Sequence, residues 1–148
     1  EILRCLVGSE MCIRDRQDAS VCREEWKDSA DVVLCDVPCS GLGIIRKKPE
    51  IRFKNPDEIR TLPEIQARIL ANCAQYVKKG GTLVYSTCTI LQRENEDVVR
   101  AFLTENPEFE AVSWTHPVCG ERADGMVTLL PPVHNTDGFF IAKMHRKV

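Results

Sequence analysis

The stretch that decides the fold is Asp31-Val32-Val33-Leu34-Cys35-Asp36-Val37-Pro38-Cys39-Ser40-Gly41. Residues 31–36 form an apolar run bounded by charge, which is typical of a strand buried on both faces of a parallel sheet. We expect this strand to end at Pro38. Cys39 then lies in a small, turn-forming segment at the carboxyl edge of the sheet, where open α/β proteins keep their chemistry.

A second predicted strand, Thr82-Leu83-Val84-Tyr85-Ser86-Thr87, runs directly into Cys88. Between the two strands, apolar residues recur at three- and four-residue intervals: Ile65, Ile69, Leu70, Cys73, Tyr76 and Val77. This spacing predicts an amphipathic helix after Thr61, with Lys78-Lys79 suited to its C-terminus and Gly80-Gly81 to end it. Strand, helix and strand make a βαβ unit with parallel strands. Because two thiols lie at the carboxyl ends of these strands, the sequence predicts a functional site at this edge of the sheet.

The remainder of the chain is predicted to complete an α/β domain. Residues 94–106 show the periodicity of a second helix, with Glu94 among the acidic residues of its first turn. An irregular stretch follows. Residues 126–130 and 138–144 then have the composition of two closing strands.

Length, composition and charge limit the classes of protein. The length of 148 residues fits one domain, and a hydrophobic content of 43% is enough for a core. A formal net charge of −2 at pH 7 does not predict a nucleic-acid binder, although basic residues can still concentrate on one face. No apolar run approaches the ~18–20 residues that span a bilayer, and the start lacks the order of a signal peptide. We therefore expect a cytoplasmic protein with no membrane partner.

Eight cysteines raise the alternatives of a disulfide framework and a metal site. Cys35 lies within the first predicted strand and Cys73 within the predicted helix, positions that suit free thiols behaving as small hydrophobic residues. Neither the cysteines nor the three histidines have the spacing of zinc ligands. We expect free thiols and no bound metal.

The opening segment, residues 1–16, does not fit this pattern. It mixes charged and apolar residues without sustained periodicity, and residues 5–15 resemble translated adapter read-through. A doubly wound sheet also needs more strands before Asp31 than this stretch can supply. We therefore interpret 1–16 as an atypical segment, and 17–148 as part of a domain, its second half.

Motifs between residues 36 and 143 form a recognisable set: Asp36-Val37-Pro38-Cys39-Ser40-Gly41-Leu42-Gly43, Ile45-Arg46, Pro49-Glu50-Ile51, Gly80-Gly81-Thr82-Leu83-Val84-Tyr85-Ser86-Thr87-Cys88, Glu94-Asn95-Glu96 and Asp137-Gly138-Phe139-Phe140-Ile141-Ala142-Lys143. Together they resemble the RNA cytosine-C5 methyltransferases, above all the bacterial small-subunit rRNA methyltransferase B group. The resemblance implies an α/β, Rossmann-like methyltransferase fold that uses S-adenosylmethionine, represented here by its C-terminal half only. It also implies methyl transfer to carbon 5 of a cytosine in RNA, with small-subunit rRNA as the expected partner.

The resemblance gives the two thiols separate roles. Carbon 5 of cytosine is too poor a nucleophile to take a methyl group unaided, so a thiolate first adds to carbon 6. In the family the cysteine of the T-C motif makes this bond, which corresponds to Cys88. The adduct must then lose the carbon 5 proton and expel the thiol. The family's P-C cysteine, here Cys39, assists that release.

Two aspartates also match the family. Asp36 is expected to hydrogen-bond the Watson–Crick edge of the cytosine and to border the cofactor; a carboxylate that caps the turn is the alternative. Asp18 resembles the aspartate of the family's G-D-A element, which contacts the adenosine of the cofactor, although Gln17 replaces the usual glycine. The glycine-rich cofactor loop of Rossmann-like sites is missing from the sequence, so we expect this chain alone to be inactive.

Residues 40–56 contain too many glycines and prolines for a long element and predict a basic surface loop. The basic residues expected to contact RNA phosphates are Arg46, Lys47, Lys48 and Arg52. A solvated face is the alternative. The target base must leave its stack to reach the thiols, and Phe53 and Tyr85 could stack on it or simply pack.

Other functions remain as alternatives, among them a redox or structural thiol protein. A DNA cytosine-C5 methyltransferase would attack with Cys39, whereas the T-C motif at Cys88 favours the RNA type. A noncatalytic RNA-binding or assembly module that keeps the fold would be indifferent to the Cys88 thiol. An enzyme would lose turnover on Cys88→Ala.

Overall fold

The computed structural model describes residues 16–148, and residues 1–15, nearly all of the atypical opening segment, lie outside the described residues. The strands described are β1 (Ala30–Asp36), β2 (Val77–Thr87), β3 (Phe109–Ala111), β4 (Trp114–His116), β5 (Gly120–Arg122), β6 (Met126–Leu129) and β7 (Phe139–Arg146). The α-helices described are α1 (Pro56–Arg60), α2 (Leu62–Ala74), α3 (Glu96–Glu105) and α4 (Pro131–His134). Short 3₁₀ turns lie at Glu24–Trp26, Leu42–Ile44, Pro49–Phe53 and Gln92–Glu94.

Within residues 16–148 the central sheet has five strands, and the βαβ unit forms its first part. β1 pairs in parallel with β2, and α2 lies between them in the chain. β7 pairs antiparallel with the other edge of β2, and both β3 and β6 pair antiparallel with β7. β4 and β5 form a separate two-stranded ribbon. The predicted strand–helix–strand unit and the two closing strands are therefore confirmed.

The core lies between the sheet and helices α2 and α3. Alternate residues of β2 point into it because successive side chains of a strand point to opposite faces, and both Leu83 and Tyr85 are fully buried. Leu70 of α2 and Val99 of α3 pack there with no exposed surface. Of the two aromatic residues considered as stacking partners, Tyr85 is thus a core residue, and its hydroxyl donates to the backbone carbonyl of Glu94 at 2.6 Å.

One face of β1 is uncovered in the part of the chain that the structure describes. Cys35 is 3% exposed, whereas Val32 and Leu34 are 63% and 67% exposed. The prediction of a strand buried on both faces is therefore wrong for residues 16–148. The physical reason is that α2 covers one face of β1 and none of the described elements covers the other.

The end of α2 also differs from its prediction. The helix stops at Ala74 and β2 begins at Val77, so Lys78-Lys79 and Gly80-Gly81 belong to the strand. The pairing with β1 shifts register at this point, which marks a bulge in β2. Gly80 has a φ of 78°, and a Cβ on Gly81 would meet the Val77 side chain at 2.8 Å. These glycines allow the bulge rather than end the helix.

Three shorter segments complete the comparison with the sequence. Residues 40–56 hold only the two 3₁₀ turns Leu42–Ile44 and Pro49–Phe53 and the start of α1, so the absence of a long element is confirmed. The stretch after α3 is predicted to be irregular, but it contains β3, β4 and β5. These strands are too short to show the alternation of apolar and polar residues by which a strand is predicted. α3 begins at Glu96, and Glu94 lies in the preceding turn rather than in the helix. Among residues 16–148, none of the helices is long and apolar enough to cross a membrane.

Candidate active site

Two thiols lie together where β1 and β2 end. The strands are parallel neighbours, and their shared ladder ends with Asp36 opposite Ser86. The chain continues from these residues to Cys39 and Cys88, whose Sγ atoms are 3.3 Å apart. Both are half-buried free cysteines. The parallel pairing of the strands thus brings together two sulfurs that are 49 positions apart in the chain.

Cys39 holds its proton more firmly than an ordinary cysteine. Burial, and after it the hydrogen bond with Cys88, raise the pKa of Cys39 from 9.0 to about 12. At neutral pH its side chain is therefore a thiol. Because the thiolate is the nucleophilic form of cysteine, Cys39 is suited to donate a proton rather than to attack.

A cavity of about 340 Å³ opens beside the two thiols. The residues that line it are Cys39, Gly41, Ile44, Lys48, Glu50, Ile51, Lys54 and Cys88. Most of the wall comes from the loop after Cys39, so the thiols and the basic loop share one space. Lys54 donates a hydrogen bond from Nζ to the backbone carbonyl of Ser40 at 2.8 Å, which fixes an ammonium group at the wall.

Gly43 joins the loop after Cys39 to the segment that follows β2. Its N–H donates to the carbonyl of Cys88 at 3.0 Å, and its own carbonyl accepts from the N–H of Gly138 at 2.8 Å. A Cβ on Gly43 would lie 2.1 Å from the Gly138 carbonyl oxygen. This close backbone approach requires glycine and ties both thiol loops to the start of β7.

Two buried polar side chains next to the thiols were missed by the sequence reasoning. Glu94 and Asn95 have no exposed surface. The Glu94 carboxylate accepts hydrogen bonds from the Ser40 N–H at 2.8 Å and from Gln66 Nε2 at 3.0 Å. The Asn95 amide bonds to the residues on either side of Cys88. Glu94, which the sequence pattern assigned to the first turn of a helix, therefore faces the active-site loops instead. Its place in the motif Glu94-Asn95-Glu96 was the signal in the sequence that could have identified it.

The two predicted aspartates do not line the thiol cavity. Asp36 is exposed at the end of β1 and accepts a hydrogen bond from Ser86 Oγ at 2.9 Å. Asp18 is exposed too, and its carboxylate accepts from the hydroxyl and the N–H of Ser20 at 2.7 and 2.9 Å. Both bonds lower the pKa of Asp18, and the bond from the Ser20 hydroxyl has the larger effect. The structure thus brings Cys39 and Cys88 together but places neither aspartate in the cavity wall.

The four predicted RNA-binding residues divide into two pairs. Arg46 and Lys47 both face the carboxylate of Asp137, with nitrogen–oxygen distances of 3.6 and 2.5 Å. Lys48 lines the cavity, and Arg52 is exposed in the turn Pro49–Phe53. Neither Lys48 nor Arg52 has an ion-pair partner within residues 16–148. These two residues therefore keep their charge available for a ligand.

Other candidate groups lie outside the cavity. Phe53 is 89% exposed, so it does not pack in the described part of the chain. All cysteines there are free, and Cys35 and Cys73 hydrogen-bond each other, which raises the pKa of Cys35 and lowers that of Cys73. The described residues contain no group of three or more side chains that could hold a metal ion.

Comparison with known proteins decides the family. The profile described as 16S rRNA methyltransferase RsmB/F matches residues 6–145. The chain belongs to this family. It is 46% identical over 148 residues to the probable ribosomal RNA small subunit methyltransferase B of Bacillus subtilis (strain 168), covering 95% of the chain and 33% of that relative. The chain spans 27–33% of the length of the first three curated relatives that it matches.

Solved structures share the fold of this RsmB/F chain. The crystal structure of PH0851 superposes with a TM-score of 0.81 at 37% identity, covering 88% of this chain and 30% of that one. The crystal structure of NSun6 from Pyrococcus horikoshii with SFG superposes with a TM-score of 0.70 at 24% identity, covering 89% and 34% of the two chains. The predicted α/β, Rossmann-like methyltransferase fold is confirmed.

The described residues of this RsmB/F chain fit only one edge of a methyl-donor site. Asp36 presents an exposed carboxylate at the carboxyl end of β1, the edge where open α/β folds bind nucleotide cofactors. The Asp18 carboxylate is engaged by Ser20 within its own turn. Between residue 16 and the start of β1 there is no glycine-rich loop. Of the two aspartates, Asp36 is therefore the one whose exposed carboxylate lies at that edge.

Proposed function

We propose that this chain is the thiol-bearing part of an S-adenosylmethionine-dependent methyltransferase that acts on carbon 5 of a cytosine in RNA, with small-subunit rRNA as the substrate. The observation that carries the proposal is the pair Cys39 and Cys88, with sulfurs 3.3 Å apart beside a cavity of about 340 Å³. Membership of the 16S rRNA methyltransferase RsmB/F family supports RNA as the substrate.

We assign the covalent step to Cys88. A thiolate that adds to carbon 6 of cytosine moves electron density to carbon 5, which can then take a methyl group. Cys39 is less suited to this attack because its pKa, raised to about 12, keeps it protonated at neutral pH. The assignment also agrees with the resemblance of Cys88 to the attacking cysteine of the family.

We assign to Cys39 a role in release of the product. After methylation the proton on carbon 5 leaves to a base, and its bonding electrons form the double bond between carbons 5 and 6. The bond from carbon 6 to the Cys88 sulfur breaks as that double bond forms, and its electron pair leaves with the sulfur as a thiolate. Cys39 carries a proton and lies 3.3 Å from that sulfur, so it is placed to exchange a proton with the departing thiolate.

S-adenosylmethionine, when bound, supplies the methyl group. NSun6 from Pyrococcus horikoshii was solved with SFG, an analogue of this cofactor. On this chain we assign Asp36 to the border between cofactor and base, where its exposed carboxylate can accept hydrogen bonds from an amino or hydroxyl group. Asp18 is a second candidate, and its support is its resemblance to the G-D-A aspartate.

The RNA is expected to enter with its target cytosine out of the base stack, because a stacked base cannot reach a cavity at the sheet edge. Lys48 on the cavity wall and Arg52 on the neighbouring turn offer positive charge for adjacent phosphates. Arg46 and Lys47 are expected to contribute less because the Asp137 carboxylate pairs with both and offsets one of their two positive charges.

The test is the capture of a covalent protein–RNA adduct. The assay uses a chimaera that combines this chain with the part of the Bacillus subtilis relative that it does not span. In the chimaera, Cys39→Ala is expected to stall at an adduct with a cytosine-containing rRNA fragment, seen on a denaturing gel as a band that ribonuclease removes. Cys88→Ala should abolish methyl transfer, and the double variant should form no adduct.

Three outcomes would contradict the proposal. One is the absence of an adduct from Cys39→Ala with every cytosine-containing RNA tried. Another is an adduct that forms through Cys39 when Cys88 is absent, which would indicate the order of attack of a DNA cytosine-C5 methyltransferase. RNA binding by the chimaera without any methyl transfer would favour a noncatalytic module.

A further inference from the structure

We propose that the buried dipeptide Glu94-Asn95 is a positioning unit that holds the two thiols at their working separation. Neither residue lines the cavity and neither has exposed surface, so each acts through the residues that flank a cysteine. The proposal rests on the proposed function, because it assumes that Cys39 and Cys88 act on one substrate.

Glu94 holds the segment on both sides of Cys39, together with Gln66. Its Oε2 accepts from the Ser40 N–H at 2.8 Å and from Gln66 Nε2 at 3.0 Å. The same Nε2 donates to the Pro38 carbonyl at 3.0 Å. Because a buried carboxylate that loses its donors is strongly destabilising, this pair opposes movement of the residues before and after Cys39.

Asn95 holds the segment around Cys88 in the same way. Its Oδ1 accepts from the Thr87 hydroxyl at 2.6 Å, and its Nδ2 donates to the Thr89 carbonyl at 3.0 Å. A third contact joins the two loops, since the hydroxyls of Ser40 and Thr89 are 2.7 Å apart. Glu94 and Asn95 are consecutive, so a shift of one cysteine loop against the other must break at least one of these buried bonds.

The separation of the sulfurs is the quantity that this arrangement controls. At 3.3 Å they are in hydrogen-bonding contact, which proton exchange between them requires. A misplacement of ~1 Å between reacting groups can lower a rate by ~10²-fold. Loosening the dipeptide would therefore impair the reaction without removing either thiol.

The first experiment measures thiol proximity and needs no methyl transfer. Phenylarsine oxide reacts with two close thiols, so that two sulfur–arsenic bonds form and the oxide oxygen leaves as water with both thiol protons. Its affinity for the 148-residue chain is measured calorimetrically in a Cys73→Ala background, which removes the hydrogen-bonded pair of Cys35 and Cys73. A Cys39→Ala variant in the same background defines the signal of single thiols.

Asn95→Ala and Glu94→Ala are each expected to weaken this affinity ~10-fold, because the effective concentration of one thiol at the other falls. Glu94→Gln should stay within ~2-fold of the parent, since its amide oxygen can still accept from the Ser40 N–H. Asn72→Ala is the matched control. Asn72 is also buried, 5% exposed, and donates to the Ala19 carbonyl at 2.7 Å, but it contacts neither cysteine loop.

Unchanged affinity in both Asn95→Ala and Glu94→Ala would overturn the proposal, and so would an equal loss in Asn72→Ala. If Asn95→Ala does not fold, Thr87→Val tests the same contact with a side chain of nearly the same shape. It removes the hydroxyl that donates to Asn95 at 2.6 Å and that also accepts a longer bond, 3.4 Å, from the Thr89 N–H, and we expect an affinity ~3-fold below the parent.

The second experiment measures methyl transfer by the chimaera. Asn95→Ala is expected to lower kcat ~10-fold and to leave KM for RNA unchanged, because the side chain does not reach the cavity. A parallel rise in KM would contradict a positioning role. If the unsubstituted chimaera shows no transfer that depends on Cys88, the proposed function fails, while the arsenical affinities still test the positioning unit.

Discussion

The thiol edge of the sheet and the open face of β1 are built very differently. At the thiol edge, Glu94 and Asn95 are fully buried and hydrogen-bonded to the loops that carry the cysteines. On the open face, Val32 and Leu34 are 63% and 67% exposed, and the Asp36 carboxylate at the end of the strand is exposed as well. The groups assigned to the base are thus held through buried hydrogen bonds, whereas the two carboxylates assigned to the methyl donor are exposed and bond only to Ser86 and to Ser20.

The difference predicts which part of the proposed site is preformed in this chain. A buried polar network sets a unique arrangement, because every shift leaves a donor or acceptor unpaired. Exposed carboxylates impose no such restriction. We therefore expect the thiol geometry to be present in the isolated chain and the cofactor site to be incomplete.

The largest expected effect concerns the methyl donor. The isolated chain should show no binding of S-adenosylmethionine by calorimetry up to ~1 mM, which corresponds to less than ~4 kcal/mol of binding free energy. It should also show no methyl transfer to rRNA fragments. The chimaera with the Bacillus subtilis relative should bind S-adenosylmethionine and should transfer methyl groups to the rRNA fragments. Measurable transfer by the isolated chain would remove the distinction between the two regions.

The next effect concerns the reactivity of Cys39. Iodoacetamide reacts with thiolates, so a pKa raised to about 12 should make Cys39 react ~10³-fold more slowly than glutathione at about pH 8. The rate should then rise ~10-fold per pH unit up to about pH 9.5, because the thiolate fraction grows while the pH stays below the pKa. Peptide mass spectrometry separates the Cys39 peptide from the Cys88 peptide, so it measures this rate in the unsubstituted chain.

Removal of Cys88 deletes one of the two main causes of the raised pKa but leaves burial, which is the larger. Cys39 should therefore remain slow in the Cys88→Ser variant. The matched variant, Cys39→Ser, reports Cys88 under the same conditions, and we expect the faster reaction there. Equal rates in the two variants near pH 8 would contradict the assignment of Cys88 as the nucleophile.

A glycine substitution tests how the thiol edge is held together. Gly43→Ala places a Cβ 2.1 Å from a Gly138 carbonyl oxygen, and we expect it to lower the free energy of unfolding by about 3 kcal/mol. Gly120→Ala is the control, since its φ of 72° also disfavours alanine but no atom of residues 16–148 lies within 4 Å of the new Cβ. There we expect about 1 kcal/mol. Urea denaturation of the isolated chain measures both, and equal losses would show that the Gly43 contact does not hold the loops.

The sequence predicted the parts of this molecule that depend on local pattern. A helix between two apolar strands favours a βαβ unit with parallel neighbouring strands, and the closeness of Cys39 and Cys88 followed from that unit. The burial of Glu94 could not be predicted in this way. Its carboxylate accepts a hydrogen bond from the N–H of Ser40, 54 positions away in the chain. Local residue spacing does not predict a contact between residues so far apart.

Two other errors have a similar cause. Propensity favours a helix C-terminus at Lys78-Lys79 followed by Gly80-Gly81. These residues belong to the strand instead, because Val77 pairs with β1 and β2 begins there. The apolar run of residues 31–36 predicted burial on both faces, and the described residues cover one. The end of α2 and the burial of β1 were thus determined by tertiary contacts, which local propensity does not describe.

The smallest expected effect separates the two pairs of basic residues beside the thiols. The double variant Lys48→Ala/Arg52→Ala should weaken binding of a single-stranded rRNA fragment to the isolated chain ~5-fold and lower the slope of log affinity against log salt by ~1.4, the value for two phosphate contacts. Arg46→Ala/Lys47→Ala removes the same charge and is the matched control. It should weaken binding by less than ~2-fold, because Asp137 already pairs with both cations. Equal losses and equal salt slopes, measured by fluorescence anisotropy, would mean that net charge rather than position at the cavity determines RNA binding at the thiol edge.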